Sequence, residues 1–241
     1  MGIFGLWEDA KGNLQFLLVS LIIIAIIFII SIAAEKYVIK TGHKKRFSTR
    51  NIAIIGMFSA IAFVLMLFEI SLGFAPPFYK IDFSEVPILI GSFALGPVAG
   101  VVMELCKILL NLAIKGTTTA FVGDFSNFII GCSFVIPASI IYHVKKSRKT
   151  AVIGLVTGSA VMTVFGSAFN AIYLLPEFAE LYGMPLDAII AMGTAVNSNI
   201  NSVTTMVLFA VVPFNLLKST LVSIITLILY KRISPLLKGS S

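Results

Sequence analysis

The sequence predicts an all-α fold, a polytopic transmembrane helix bundle, and three observations predict it. The 241 residues are 58% hydrophobic and only 12% charged, about half the charged share of an ordinary soluble domain. The apolar residues fall in runs of spanning length rather than in alternating stripes, beginning with Leu14 to Ala34. The charges sit between the runs, and their placement follows the positive-inside rule.

In chain order, residues 1–13 are short and mixed, with Trp7 as an interfacial anchor. Leu14–Ala34 is too long for the apolar region of a signal peptide and lacks a basic start and a small-residue cleavage site. Residues 35–50 carry Lys36, Lys40, Lys44, Lys45, Arg46 and Arg50, which places this segment in the cytoplasm. Asn51–Phe68 runs outward, and 71–85, with Gly73, Pro76 and Pro77, forms an external loop. Val86–Leu95 returns inward to a tight turn at Gly96-Pro97, and Val98–Ile114 goes outward again. Both are short, so irregular backbone at membrane depth is expected there, and it must be buried in protein or line a cavity. Residues 115–122 form a second external loop. Asp124–Tyr142 runs inward to Lys145, Lys146, Arg148 and Lys149, Ala151–Leu175 runs outward, and 176–200 forms a long external loop. Asn201–Tyr230 runs inward to Lys231, Arg232 and Lys238.

This reading counts seven spans, with the N-terminus external and the C-terminus cytoplasmic. Thirteen of the 18 Lys and Arg residues fall in the three segments placed inside, and the 176–200 loop has none. The net charge of +7 therefore reports topology, not nucleic-acid binding. Cys106 and Cys132 lie in apolar runs, without disulfide or metal-ligand spacing.

Catalytic signatures are missing. There is no G-x-x-x-x-G-K-[ST] for ATP, no H-E-x-x-H and no G-x-S-x-G. His43 and His143 lie in or beside the basic segments. The polar residues inside apolar runs are the positive signal, because an ionisable group at the bilayer centre costs about 2.5–3.5 kcal/mol. They centre on residues 76–131. This stretch holds the turn-prone, aromatic and charged Pro76–Asp82 segment, with Tyr79 and Lys80, then Glu104, Lys107 and Asn111, then Asp124, Phe125 and Asn127. On the last span, Asn215 and Lys218 are three apart and share a helix face. About 18 Å of helix separates Lys218 from the cluster at Lys231, too far to snorkel inward, so it is expected to face the interior. Glu104 and Lys107 suit a structural pair at i, i+3 and ligand contact equally. Small residues at four-residue spacing, Gly56/Ala60, Gly96/Gly100 and Gly154/Gly158, permit close helix contact, with internal packing expected for the last pair.

Three motifs carry a resemblance. They are Lys80-Ile81-Asp82-Phe83-Ser84-Glu85-Val86-Pro87, followed by Gly91 and Phe93-Ala94-Leu95-Gly96-Pro97; Gly123-Asp124-Phe125-Ser126-Asn127-Phe128, with Gly131; and Pro213-Phe214-Asn215-Leu216-Leu217-Lys218. In this order, over about residues 50–232, they resemble the riboflavin-specific S components of energy-coupling factor (ECF) vitamin transporters. The resemblance implies a six-helix substrate-binding core at 51–232. It leaves an extra N-terminal helix and a basic loop at 1–50 and a cytoplasmic tail at 233–241.

The resemblance also implies a multi-pass subunit of a prokaryotic cell membrane, not an enzyme. Such a subunit captures riboflavin as transported ligand, with no cofactor, and works with a separate transmembrane coupling subunit and two ATPase subunits. Asn127 and Lys218 match positions that contact the flavin, and Gly56 and Ala60 match the motif that docks the coupling subunit. The candidate substrate-binding residues are thus Asn127, Lys218, Asp82, Asp124, Asn215, Lys80, Tyr79 and Phe125. Phe78, Tyr79, Phe125 and Phe128 suit ring packing and ordinary lipid or core contact equally. An S component for another vitamin, an intramembrane enzyme acting on a lipid head group, and a small channel are the alternatives.

Overall fold

Long apolar runs must satisfy their own backbone groups in a bilayer, and helices do so within one segment. The structure, a computed structural model, describes residues 14–38, 48–117 and 119–238. Trp7, His43 and the lysines and arginine between 40 and 46 lie outside them. Helix α1 spans Leu14–Val38 and α2 spans Thr49–Met66, begun by Ser48, whose side chain accepts from the Asn51 amide. A two-residue antiparallel ladder, β1 Ile70–Ser71 with β2 Lys80–Ile81, pairs Ile70 with Ile81. Then come α3 Glu85–Leu95, α4 Pro97–Ile114, α5 Val122–Lys145 and α6 Arg148–Phe169. A π-helical turn, Asn170–Leu174, joins α6 to α7, Leu175–Leu181. Helix α8 is Leu186–Thr194 and α9 is Val203–Met206. A second π-helical turn, Val207–Val211, leads into α10, Val212–Lys238.

Among the described residues six helical segments are long and apolar enough to cross a membrane, and α3 is not one of them. The seventh crossing expected from the sequence is therefore not made by a helix of full spanning length. Eleven residues of α3 rise about 16 Å, roughly half the hydrocarbon thickness. The chain makes up the distance with irregular backbone: Tyr79, Ile81, Asp82 and Ser84 are buried within the bundle ahead of α3, as the short apolar runs required. The expected external loop at 176–200 is also corrected. Much of it is α7 and α8, which bury Phe178, Ile189 and Ile190. The last helix runs on to Lys238, past the boundary expected at 232.

The turns explain why the helices alternate in direction. Gly96 stands at φ 114°, a conformation that an L side chain resists, and Pro97 begins α4 where a missing N–H costs nothing. Between α5 and α6, Ser147 and Thr150 form a reciprocal capping box. Both turns lie at the end of the bundle that also holds the basic clusters. Helix α1 reaches the same end with its C-terminus, where Glu35 Oε2 accepts from the Val98 amide at 3.0 Å. Helix α1 packs through Ile23, Ile24, Ile27 and Phe28 on the cluster that holds Val101, Ile108 and Phe128.

Helices α5 and α6 approach most closely. A Cβ on Gly154 would lie 2.6 Å from the Ala138 carbonyl oxygen, and one on Gly158 2.7 Å from that of Phe134, so this pair is internal packing. Gly56 is the opposite case: it is exposed, with nothing within 4 Å of a Cβ, and Ala60 is exposed beside it.

Candidate functional site

At the end of the bundle away from the basic clusters, the buried 79–84 segment meets α4, α5, the first π-helical turn and α10. An inner cavity of about 150 Å³ lies here, and an outer one of about 730 Å³ adjoins it. Phe78, Lys80, Gly123, Asn127 and Phe178 line both. Ile130, Met162, Leu174 and Phe214 make the inner walls apolar, and Asn170, Asn215, Glu85 and Lys218 add polar atoms. Together the two suit a ligand of the size that pockets of about 300–1,000 Å³ accept.

An ion cluster backs the cavities. Lys218 Nζ lies 3.0 Å from Asp82 Oδ2 and 3.2 Å from Glu85 Oε1. Lys107 Nζ lies 2.7 Å from Glu104 Oε2 and 3.6 Å from the same Glu85 oxygen. All five side chains are buried. Asp82 also accepts from the Ser84 amide at 2.8 Å, through Oδ1. Tyr79 is buried in the same segment. Its hydroxyl donates to Asn170 Oδ1 at 2.7 Å.

The α4–α5 connection shapes the outer cavity. Thr117 Oγ1 accepts from the Phe121 amide and Thr119 Oγ1 from the Gly123 amide, both at 3.0 Å. Phe121 is held at φ 74°, a left-handed conformation rare for an aromatic residue, directly before α5. This turn sets the direction in which Asp124 and Asn127 project. Asp124 accepts from Asn111 Nδ2 at 3.0 Å. At the mouth, Glu69 pairs with Lys80 at 2.9 Å and Lys115 at 3.6 Å.

Of the residues singled out from the sequence, the structure brings Tyr79, Lys80, Asn127, Asn215 and Lys218 to the inner cavity. Asp82 and Asp124 line the outer one. Phe125 is not among the lining residues of either. It projects from the other side of α5 into the cluster with Met66, Val101 and Ile108. Lys218 faces the interior, as its depth required. Glu104 and Lys107 form a buried pair behind the cavity, with neither among its lining residues. Glu85, Asn170 and Phe178 were missed as site residues. For Asn170 a signal existed, an amide inside the apolar run 151–175; Phe178 sits in a segment that read as a loop.

Buried atoms without a partner show what the site has to offer. Among the described residues, Asn215 Nδ2 and Glu85 Oε2 are such atoms at the inner cavity, and Asn111 Oδ1 is one at the outer. Unmet buried polar groups are costly and rare, and in a cavity they point to a polar ligand.

A membrane-spanning helical bundle with an apolar, polar-tipped cavity at one end has the form of a ligand-binding membrane protein. The chain belongs to the ECF transporter substrate-specific components, whose family model matches residues 50–230. Among its relatives, riboflavin transporter RibU of Staphylococcus aureus is 38% identical over 189 residues, covering 78% of this chain and 93% of the relative. Riboflavin transporter FmnP of Bacillus subtilis is 30% identical over 187 residues, covering 77% and 93%. A solved structure described as "Structure and mechanism of the S component of a bacterial ECF transporter" superposes with a TM-score of 0.62 at 36% identity, covering 79% of this chain and 99% of that one. The chain is thus a multi-pass membrane protein with a transport role rather than an enzymatic one. Its family works in association with a coupling subunit and ATPases.

Proposed function

We propose that the chain is the riboflavin-binding subunit of an ECF importer and captures riboflavin from the external side of a prokaryotic cell membrane. The inner cavity carries this reading. Its apolar walls, with Tyr79, Phe178 and Phe214, suit a flat aromatic ring system, and Asn127, Asn215, Glu85 and Lys218 supply polar atoms for its heteroatom edge. The names of the relatives support the same ligand. Asp124, Asn111 and Lys80 in the outer cavity suit the hydroxylated ribityl chain.

Charge supports the orientation. Lys36, Arg50, Lys145, Lys146, Arg148, Lys149, Lys231 and Arg232 gather at the end away from the cavities, which faces the cytoplasm by the positive-inside rule. The cavities then open outward. The C-terminus is cytoplasmic and the start of α1 external. Helix α1 adds an extra span to a binding core that begins at residue 51 and ends on α10.

The exposed face of α2 with Gly56 and Ala60 is the docking face for the coupling subunit, because small residues let helix backbones approach closely. ATP hydrolysis falls to two separate ATPase subunits.

The test is purification from riboflavin-fed cells. A yellow protein with flavin absorbance, displaced by riboflavin and not by unrelated vitamins, is the expected result. Colourless protein that binds another vitamin, turns over a lipid substrate, or passes solute down a gradient alone would each replace the reading.

A further inference from the structure

We propose that Lys107 is a positioning residue, which turns the Asn127 amide so that its NH2 group faces the substrate cavity. The inference rests on the riboflavin reading for the identity of the ligand. Lys107 is fully buried on α4 and is not a lining residue of either cavity. Its ammonium meets Asn127 Oδ1 and Ser84 Oγ, each at 3.2 Å, besides Glu104 and Glu85. An ammonium has three donors and no lone pair. The amide therefore has one permitted orientation, with Oδ1 toward Lys107, since the reverse would set two donors against each other in a buried site. Asn127 lines both cavities, so its Nδ2 is the amide atom left for a ligand.

The clamp is itself held in place. Glu104 grips Lys107 at 2.7 Å, and a Cβ on Gly131 would lie 2.7 Å from Glu104 Oε1, so a side chain there would have to push the Glu104 carboxylate aside. The same rule of charge sets the neighbouring atoms. Glu85 Oε1 faces both ammoniums, which leaves Oε2 as an unpartnered acceptor, and Asn215 offers an unpartnered NH2. The site thus presents donors from Asn127 and Asn215 and an acceptor from Glu85. This set is the complement of the flavin edge with two carbonyls and one N–H. Lys107 selects that edge without touching it.

The test compares riboflavin affinities of purified full-length variants, with wild-type binding as the control that tests the riboflavin reading separately. Asn127→Asp keeps the contact to Lys107 but turns an acceptor toward the flavin carbonyls. It is expected to bind more weakly than Asn127→Ala, by about tenfold or more. The opposite order, with Asn127→Asp at or above Asn127→Ala, would show that the amide presents its oxygen and would overturn the proposal. A second measurement does not depend on how the aspartate variant folds. In infrared spectra of bound riboflavin carrying 13C at either carbonyl, one carbonyl band should lie lower in wild type than in Asn127→Ala, and equal bands at both positions would refute donation. A third separates positioning from a merely structural role. In the double variant Glu104→Met/Lys107→Met, which removes a buried pair together, the affinity loss from Asn127→Ala should shrink by several-fold. An undiminished loss would mean that Lys107 does not orient the amide.

Discussion

Lys218, on α10, holds two carboxylates from the distant segment at the start of α3, Asp82 and Glu85. Its removal leaves both buried with less compensation. Lys218→Ala is therefore expected to lower folding stability by about 3–5 kcal/mol, the usual cost of breaking a buried pair, as well as riboflavin affinity. Asn127→Ala removes no charge, and Lys107 keeps Glu104, Glu85 and Ser84 when it loses the Asn127 oxygen, so thermal stability should fall less than in Lys218→Ala, while affinity falls by about 1–3 kcal/mol. A thermal melt beside calorimetry on both variants checks the contrast, and a Lys218→Ala protein as stable as wild type would refute the structural part of its role. The sequence marked Asp82, Asn127, Asn215 and Lys218 because each is a polar group in an apolar setting. It left their pairing open, because a run of residues does not say which distant carboxylate meets which ammonium.

Two small-residue pairs with the same spacing have different fates. Gly154 and Gly158 touch backbone oxygens of α5, whereas Gly56 and Ala60 face outward with open space. Gly154→Leu is therefore expected to disrupt folding and flavin binding together. Gly56→Leu or Ala60→Leu should leave the isolated subunit folded and flavin-loaded but abolish its recovery with the coupling subunit. Flavin binding and pull-down on the same preparations check this, and binding lost with the complex intact would refute the docking role. The spans were legible in sequence because hydrocarbon length alone specifies them. Helices α7 and α8 were not. Glu177, Glu180 and Asp187, with the break at Gly183 and Pro185, read as a loop, while the helices are specified by tertiary burial of Phe178, Ile189 and Ile190. The two-residue ladder between β1 and β2 is too short to leave a periodic signal.

At the scale of the whole molecule, the charge distribution and the cavity lie at opposite ends. This arrangement fits capture on one side and energisation on the other. A single cysteine at Ser147 is expected to be shielded from an impermeant external reagent, and one at Tyr182, in the turn after α7, to be labelled; the reverse pattern would invert the topology. The account stands most directly on riboflavin itself. Equilibrium titration of the purified, flavin-depleted protein with riboflavin, followed by quenching of flavin fluorescence, should reach saturation at one molecule per chain and weaken in Asn127→Ala. A wild-type protein that leaves the fluorescence of riboflavin unchanged at every concentration, and shows no heat of binding in calorimetry, would contradict it.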